Sequence, residues 1–232
     1  MYLFYAPDIE QDTTLPEEES GHAIRVLRLK EGDEIILTNG KGSFFRANII
    51  AAHQKRCKLE LLESWQQEEL WPFYLHIAIA PTKNMDRMEW FVEKATEIGI
   101  DAITCLNCRF SERREIKTAR LEKILISAMK QSQKASLPLL TGMTGFTEFV
   151  KLPFAGRKFI AHCEEQEKLL LSKTYHPGER VLILIGPEGD FSPDEIKLAL
   201  QNGFEPISLG KSRLRTETAA LAACQTIHVL NE

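Results

Sequence analysis

Beyond Phe73 the sequence alternates between short, uniformly apolar runs and segments whose apolar residues recur every three or four positions. This alternation predicts a parallel sheet with helices on both faces. A parallel strand covered on both sides is apolar throughout, and each parallel connection needs a crossover long enough for a helix. Runs 73–80, 101–106, 158–163, 181–185 and 206–209 read as the strands. Met85, Met88, Val92, Ala95 and Ile98 mark an amphipathic helix that Gly99 ends. Residues 119–134 read as a basic helix. Ser192-Pro193-Asp194-Glu195 is a capping box with proline at the first helical position, Gly203 supplies the stop, and 216–230 is a final helix.

The first third follows a different pattern. Runs 34–38 and 43–50 flank Asn39-Gly40-Lys41-Gly42, residues that accept the positive φ of a hairpin turn, and a third run covers 57–62. Three short strands in a meander suggest a small barrel. Residues 63–71 are rich in Gln and Glu and read as a linker, so the chain divides into domains 1–70 and 71–232.

A net charge of −4 excludes a general polyanion binder, so any nucleic-acid contact must come from local clusters. Two such clusters exist. Arg109, Arg113, Arg114, Lys117, Arg120, Lys123, Lys130 and Lys134 face only Glu112, Glu115 and Glu122, and Arg25, Arg28 and Lys30 form a smaller group. Each is either a solvated face or a stripe for phosphate contacts. Five cysteines in a chain this long suggest reduced thiols and a cytoplasmic protein. The start lacks the features of a signal peptide, and no run approaches membrane-spanning length.

Two segments could carry chemistry. In the first, a buried strand at 181–185 enters Gly186-Pro187-Glu188-Gly189-Asp190 and then the capped helix. In the second, a strand enters Gly210-Lys211-Ser212-Arg213-Leu214-Arg215, followed by Thr216-Glu217-Thr218 at a helix start. Ligands of open α/β sheets sit outside the carboxyl ends of strands, and glycine there allows close approach to the backbone. Such turns can equally serve only to reverse the chain. Other motifs fail. Gly210-Lys211-Ser212 lacks the upstream glycine of a phosphate loop, Cys105-Leu106-Asn107-Cys108 has no second pair, and neither a zinc-protease helix motif nor a serine nucleophile elbow is present.

Together the motifs resemble the ribosomal RNA small subunit methyltransferase E family, the uridine N3-methyltransferases of the knotted SPOUT superfamily. The resemblance rests on four elements: His22-Ala23-Ile24-Arg25-Val26-Leu27-Arg28 with Gly32-Asp33; Asp86-Arg87-Met88-Glu89 with Lys94-Ala95-Thr96-Glu97-Ile98-Gly99; Gly186-Pro187-Glu188-Gly189-Asp190-Phe191-Ser192; and Leu209-Gly210 with Leu214-Arg215-Thr216-Glu217-Thr218-Ala219. The family commonly carries glycine at position 190, where this chain has Asp190, and often Glu-Gln…Arg where it has Lys130-Gln131 and Lys134.

The resemblance implies a PUA-like β-barrel followed by an α/β domain with a trefoil knot, working as a homodimer without metal or membrane. It implies S-adenosyl-L-methionine as cofactor and 16S rRNA of the small ribosomal subunit as substrate, methylated at N3 of a uridine in the decoding region. It places the cofactor against His162, Ile185, Gly186, Pro187, Glu188, Gly189, Leu209, Gly210, Leu214, Arg215 and Thr218. Arg215 would stabilise the anionic base, and Glu217 or Glu188 would take the proton. Arg25, Arg28, Arg87, Arg113, Arg114, Gln131 and Lys134 would meet RNA. The competing readings are a non-catalytic RNA-binding assembly factor, which has no use for both glycine loops, and a nucleotide-binding enzyme, for which a phosphate motif is missing.

Overall fold

A computed structural model describes residues 2–232. The chain divides into two units, Met1–Leu70 with Ile126–Leu137, and Trp71–Leu125 with Pro138–Glu232.

The first unit holds β1 (Leu3–Tyr5), α1 (Glu17–Gly21) continuing into a π turn (His22–Val26), β2 (Glu34–Thr38), β3 (Ser43–Ala51) and β4 (Lys58–Gln66). The strands form one sheet in the order β1-β2-β3-β4; β1 runs parallel to β2 and the other pairs are antiparallel. The β2–β3 hairpin turns where the sequence places it. Gly40 and Gly42 take φ of 75° and 96°, and Asn39 Oδ1 accepts from Lys41 N at 2.8 Å. Alternate residues of β3 (Phe45, Ala47, Ile49) join Phe4, Ile35, Leu37 and Leu59 in the core.

Residues 63–66 are not linker. They extend β4, with Glu63 opposite Arg46 and Trp65 opposite Phe44. This half of the strand is exposed, so its Gln/Glu composition reflects solvent contact and not the absence of structure. Residues 126–137 bond to the same sheet. Thr38 Oγ1 donates to Ala135 O at 2.9 Å, Leu137 N to Gly40 O at 2.9 Å, and the Lys130 ammonium meets Glu19 at 2.6 Å.

The second unit contains β5 (Tyr74–Ile79), α2 (Met85–Ile98), β6 (Ala102–Asn107), α3 (Thr118–Gln131, of which residues from Ile126 fall in the first unit), β7 (Leu139–Gly145), α4 (Phe146–Phe149), β8 (Arg157–Ala161), β9 (Leu169–Leu170), α5 (Leu171–Thr174), β10 (Arg180–Ile185), α6 (Pro193–Gln201), β11 (Glu205–Ser208) and α7 (Thr216–Val229). Seven strands make a wholly parallel sheet in the order β7-β6-β5-β10-β8-β11-β9. The α/β reading of the sequence therefore holds. The central strand β10 is buried from Val181 to Ile185.

Helix ends follow their chemistry. Ser192 and Glu195 complete a reciprocal capping box at α6. Gly99 ends α2 at φ 138°, where a Cβ would lie 2.6 Å from the His228 ring. The edge strand β7 escapes the sequence pattern because its residues, Leu139-Leu140-Thr141-Gly142-Met143-Thr144-Gly145, are exposed or half-buried and include two glycines.

Candidate active site

Two adjoining cavities of about 290 and 390 Å³ open at the carboxyl ends of β8, β10 and β11. This is where a parallel sheet offers unpaired strand-end backbone to a ligand. They share Ala161, Cys163, Asp190, Arg213, Leu214 and Ala219, so they form one cleft with two lobes.

One wall is the turn after β10. Gly186 is packed so closely that a Cβ would sit 3.1 Å from the Phe191 ring. Asp190 takes φ 66°, a conformation aspartate tolerates better than most side chains. Its backbone N donates to Pro187 O at 2.9 Å, and its carboxylate accepts from Phe191 N at 2.8 Å and from Cys163 N at 2.7 Å. Asp190 thereby ties the end of β10 to the end of β8. Thr216 Oγ1, at the start of α7, donates to Gly186 O at 3.0 Å and fixes the second loop against the first.

The opposite wall is 207–214. Gly210 takes φ 131° with nothing within 4 Å of a would-be Cβ, leaving its backbone open. Ile185, Leu209, Leu214 and Ala219 supply apolar surface. His162 is 7% exposed, and its Nδ1 has no hydrogen-bond partner among the described residues, while Nε2 meets the Gln166 amide at 2.6 Å. Burial holds the imidazole pKa below its usual value, and the nearby Lys168 ammonium lowers it further against an opposing pull from Asp190. The histidine is therefore neutral near pH 7. Lys168 bonds the His162 carbonyl at 2.6 Å and braces the turn. The cleft combines apolar surface from Ile185, Leu209, Leu214 and Ala219 with polar groups around it.

Of the residues singled out from the sequence, His162, Ile185, Gly186, Pro187, Glu188, Leu209, Gly210, Leu214 and Arg215 line this cleft. Gly189, Thr218 and Glu217 are not among the lining residues. Glu188 Oε1 accepts from Lys83 N at 2.9 Å. Glu217 is only 6% exposed; Oε1 lies 3.7 Å from the Arg87 guanidinium, and Oε2 has no hydrogen-bond partner among the described residues. Arg113 donates to the carbonyls of Thr82 (3.1 Å) and Lys83 (2.7 Å), whereas Arg114 is exposed.

In the first unit, Arg25, Arg28 and Gln131 are exposed, with Arg28 at φ 58°. Lys134 is 9% exposed, so it presents far less charge to solvent than its neighbours. The sequence pattern does not single out Ala161, Cys163 or Lys168 as cleft residues, and it places Asp190 and Arg213 in the two candidate loops without assigning them a contact. The Cys163–Asp190 bond spans 27 positions and leaves no local signature, and Lys168 sits in a charged run that reads as surface. Among the described residues no three or more His, Cys, Asp or Glu side chains are grouped to hold a metal ion, and no helix is long and apolar enough to cross a membrane.

Comparison with known proteins gives the family. Residues 69–228 match the profile of an RNA methyltransferase domain and residues 15–62 that of an RNA methyltransferase PUA domain. The chain is 30% identical to the ribosomal RNA small subunit methyltransferase E of Buchnera aphidicola subsp. Acyrthosiphon pisum over 96% of its own length and 90% of the relative's. A crystal structure of a probable rRNA-methyltransferase from Porphyromonas gingivalis matches at 50% identity and a TM-score of 0.95, covering 100% of this chain and 98% of that one. The Neisseria gonorrhoeae ribosomal RNA small subunit methyltransferase E, solved bound to S-adenosyl methionine, matches at 29% identity and a TM-score of 0.87 over 99% and 98%.

Proposed function

The chain belongs to the ribosomal RNA small subunit methyltransferase E family of RNA methyltransferases, and from that premise we propose that it transfers a methyl group from S-adenosyl-L-methionine to N3 of one uridine in the 16S rRNA of the small ribosomal subunit. The observation that carries this reading is the meeting of the two glycine loops, 186–190 and 209–215, around a single cleft at the carboxyl ends of β10 and β11.

The cleft residues fit the cofactor. Ile185, Leu209, Leu214 and Ala219 offer an apolar bed for a purine, the open backbone at Gly210 gives it polar edges, and His162 Nδ1, without a hydrogen-bond partner among the described residues, is free to bond the cofactor. When bound, S-adenosyl-L-methionine supplies an electrophilic methyl group on a positively charged sulfur.

The remaining work falls to the chain. N3 of uridine is occupied in base pairing, so the base must be unpaired or turned out of its stack before it can react. N3 also carries a proton, and its loss spreads negative charge onto two carbonyl oxygens. Arg215, exposed at the start of α7, stabilises that charge. Glu188 takes the proton: it lines the cleft and is oriented by Lys83 N, whereas buried Glu217 is engaged with Arg87 and acts as a positioning residue for the helix start. Arg25, Arg28, Arg113, Arg114 and Gln131 contact the RNA, with Lys134 supporting the adjoining turn.

The same reading makes residues 1–70 a PUA-like barrel and 71–232 a knotted domain working as a cytoplasmic homodimer. The strand order supports the knot: β10 and β11, late in the chain, lie between strands formed earlier or beside them, flanking β8. The test is incubation of the protein with labelled S-adenosyl-L-methionine and small subunits lacking the modification. Transfer to 16S rRNA is the expected result, and cofactor binding without transfer to a competent substrate would leave only an RNA-binding role.

A further inference from the structure

The turn that follows β6 has a construction that the proposed reaction does not yet use. Ser111 Oγ accepts from Cys108 N at 3.0 Å, Ser111 N donates to Cys108 O at 3.1 Å, and Arg109 N donates to the buried Glu195 carboxylate at 2.8 Å. Downstream, Arg113 is bonded to the Thr82 and Lys83 carbonyls, and Lys83 Nζ pairs with Glu112 at 2.7 Å. A segment held this firmly nevertheless presents Phe110 at its tip, 47% exposed.

A single exposed aromatic is ordinary on a protein surface; the position of this one is not. A Cβ built on Gly189 would lie 3.1 Å from the Cβ of Phe110 and 3.8 Å from its Cγ and its carbonyl oxygen. The base of the Phe110 side chain therefore rests on the same loop whose Pro187, Glu188 and Asp190 line the cleft. A side chain at position 189 would require the base of Phe110 to give by a few tenths of an ångström. Arg109, Arg113 and Arg114 surround the ring in sequence, while two nearby carboxylates are engaged, Glu112 with the Lys83 ammonium and Glu188 with the Lys83 backbone. Glu115 is exposed. An exposed ring with arginines one, three and four positions away in the chain has the chemistry that binds single-stranded RNA, with the ring taking a base face and the cations taking phosphate.

Resting on the RNA methyltransferase reading, we infer that Phe110 stacks against an unpaired nucleobase of the substrate RNA at the mouth of the cleft. Every base has a π face, so this contact holds the strand and leaves recognition of the uridine to groups inside the cleft.

Four variants test it: Phe110→Ala, Phe110→Leu, Phe110→Tyr and Phe110→Trp, each assayed for methyl transfer to small subunits and for cofactor affinity. The alanine and leucine variants raise KM for the subunit about tenfold while cofactor affinity stays at the wild-type value, and the tyrosine variant keeps the wild-type KM. The indole of Phe110→Trp is quenched when RNA is added, beyond any response of Trp65, Trp71 and Trp90 in the parent. A wild-type KM in Phe110→Ala, or in Phe110→Leu, overturns the inference; the second result would make the side chain an apolar packing group. The two claims separate cleanly. Methylation by the parent with no loss in Phe110→Ala removes the stacking and keeps the reaction, whereas RNA quenching of Phe110→Trp without methylation by the parent keeps the stacking and removes the reaction.

Discussion

Replacing Asp190 tests how the cleft is held open. Its carboxylate accepts from Cys163 N at 2.7 Å and from Phe191 N at 2.8 Å, while its backbone sits at φ 66°. The long-range bond to Cys163 is the important one, because it joins the ends of β8 and β10. A hydrogen bond to an ionised acceptor contributes about 1.5–3 kcal/mol, and a half-buried carboxylate belongs at the lower end of that range. Asp190→Ala removes the bond and leaves a Cβ in the left-handed region, which adds about 1 kcal/mol of strain that aspartate partly relieves through its own backbone contacts. The expected loss is about 2.5 kcal/mol. Asp190→Gly loses the bonds without the strain and falls by about 1.5 kcal/mol. Asp190→Asn keeps a neutral acceptor and tolerates the positive φ, so it loses about 1 kcal/mol or less. Urea denaturation gives the stabilities, and calorimetric titration with S-adenosyl-L-methionine gives the affinities. The order should be parent, Asn, Gly, Ala, with cofactor affinity lowest in Ala, by about tenfold, because the walls formed by 161–163 and 186–190 lose their tie. If Asp190→Ala matches the parent in both measurements, or proves more stable than Asp190→Gly, the reasoning is wrong.

Other perturbations follow from the same geometry. Arg215→Ala should lower kcat by at least a hundredfold while cofactor affinity changes less than threefold, and an active variant would remove Arg215 from the chemistry. Replacing Arg25 and Arg28 together by Ala should weaken RNA binding across sequences and reduce the slope of log K against log salt by about one for each phosphate no longer neutralised; an unchanged slope would exclude them. His76, bonded to Thr104 Oγ1 at 2.9 Å, has its pKa lowered by burial from 6.5 to about 4. Its neutral form is thus the folded form. Its contribution is complete above pH 6.5 and is lost as pH falls towards 4, because the unfolded chain takes up the proton first. The loss amounts to roughly 3 kcal/mol. His76→Gln should flatten the acid limb of stability between pH 6.5 and 4, which chemical denaturation at stepped pH would read.

The second unit was largely legible because its sequence repeats one physical demand. Strands buried on both faces must be apolar throughout, as 181–185 is, and helices between them must carry one apolar face, as Met88, Val92 and Ala95 do. The Ser192–Glu195 box marks a helix start to the residue. Legibility failed where solvent or distance made the decision. Residues 63–66 are polar because half of β4 is exposed, and β7 carries glycines because it is an edge. The Asp190–Cys163 tie and the seating of Phe110 against Gly189 depend on segments 27 and 79 positions apart brought together only by the fold. The cleft could be anticipated from its two glycine loops, but the division of labour between Glu188 and Glu217 could not. The proposed assignment rests on burial, which places Glu217 beside Arg87 and leaves Glu188 on the cleft wall.

The central claim is a defined methyl transfer, and the most direct measurement is the position of the label. Small subunits from cells lacking this protein are incubated with it and labelled S-adenosyl-L-methionine, and the 16S rRNA is digested and mapped by nucleoside mass spectrometry. The account predicts 3-methyluridine at a single site in the decoding region, in a yield near one methyl per subunit. Label on another atom or base, or none at all from protein that binds the cofactor, contradicts it.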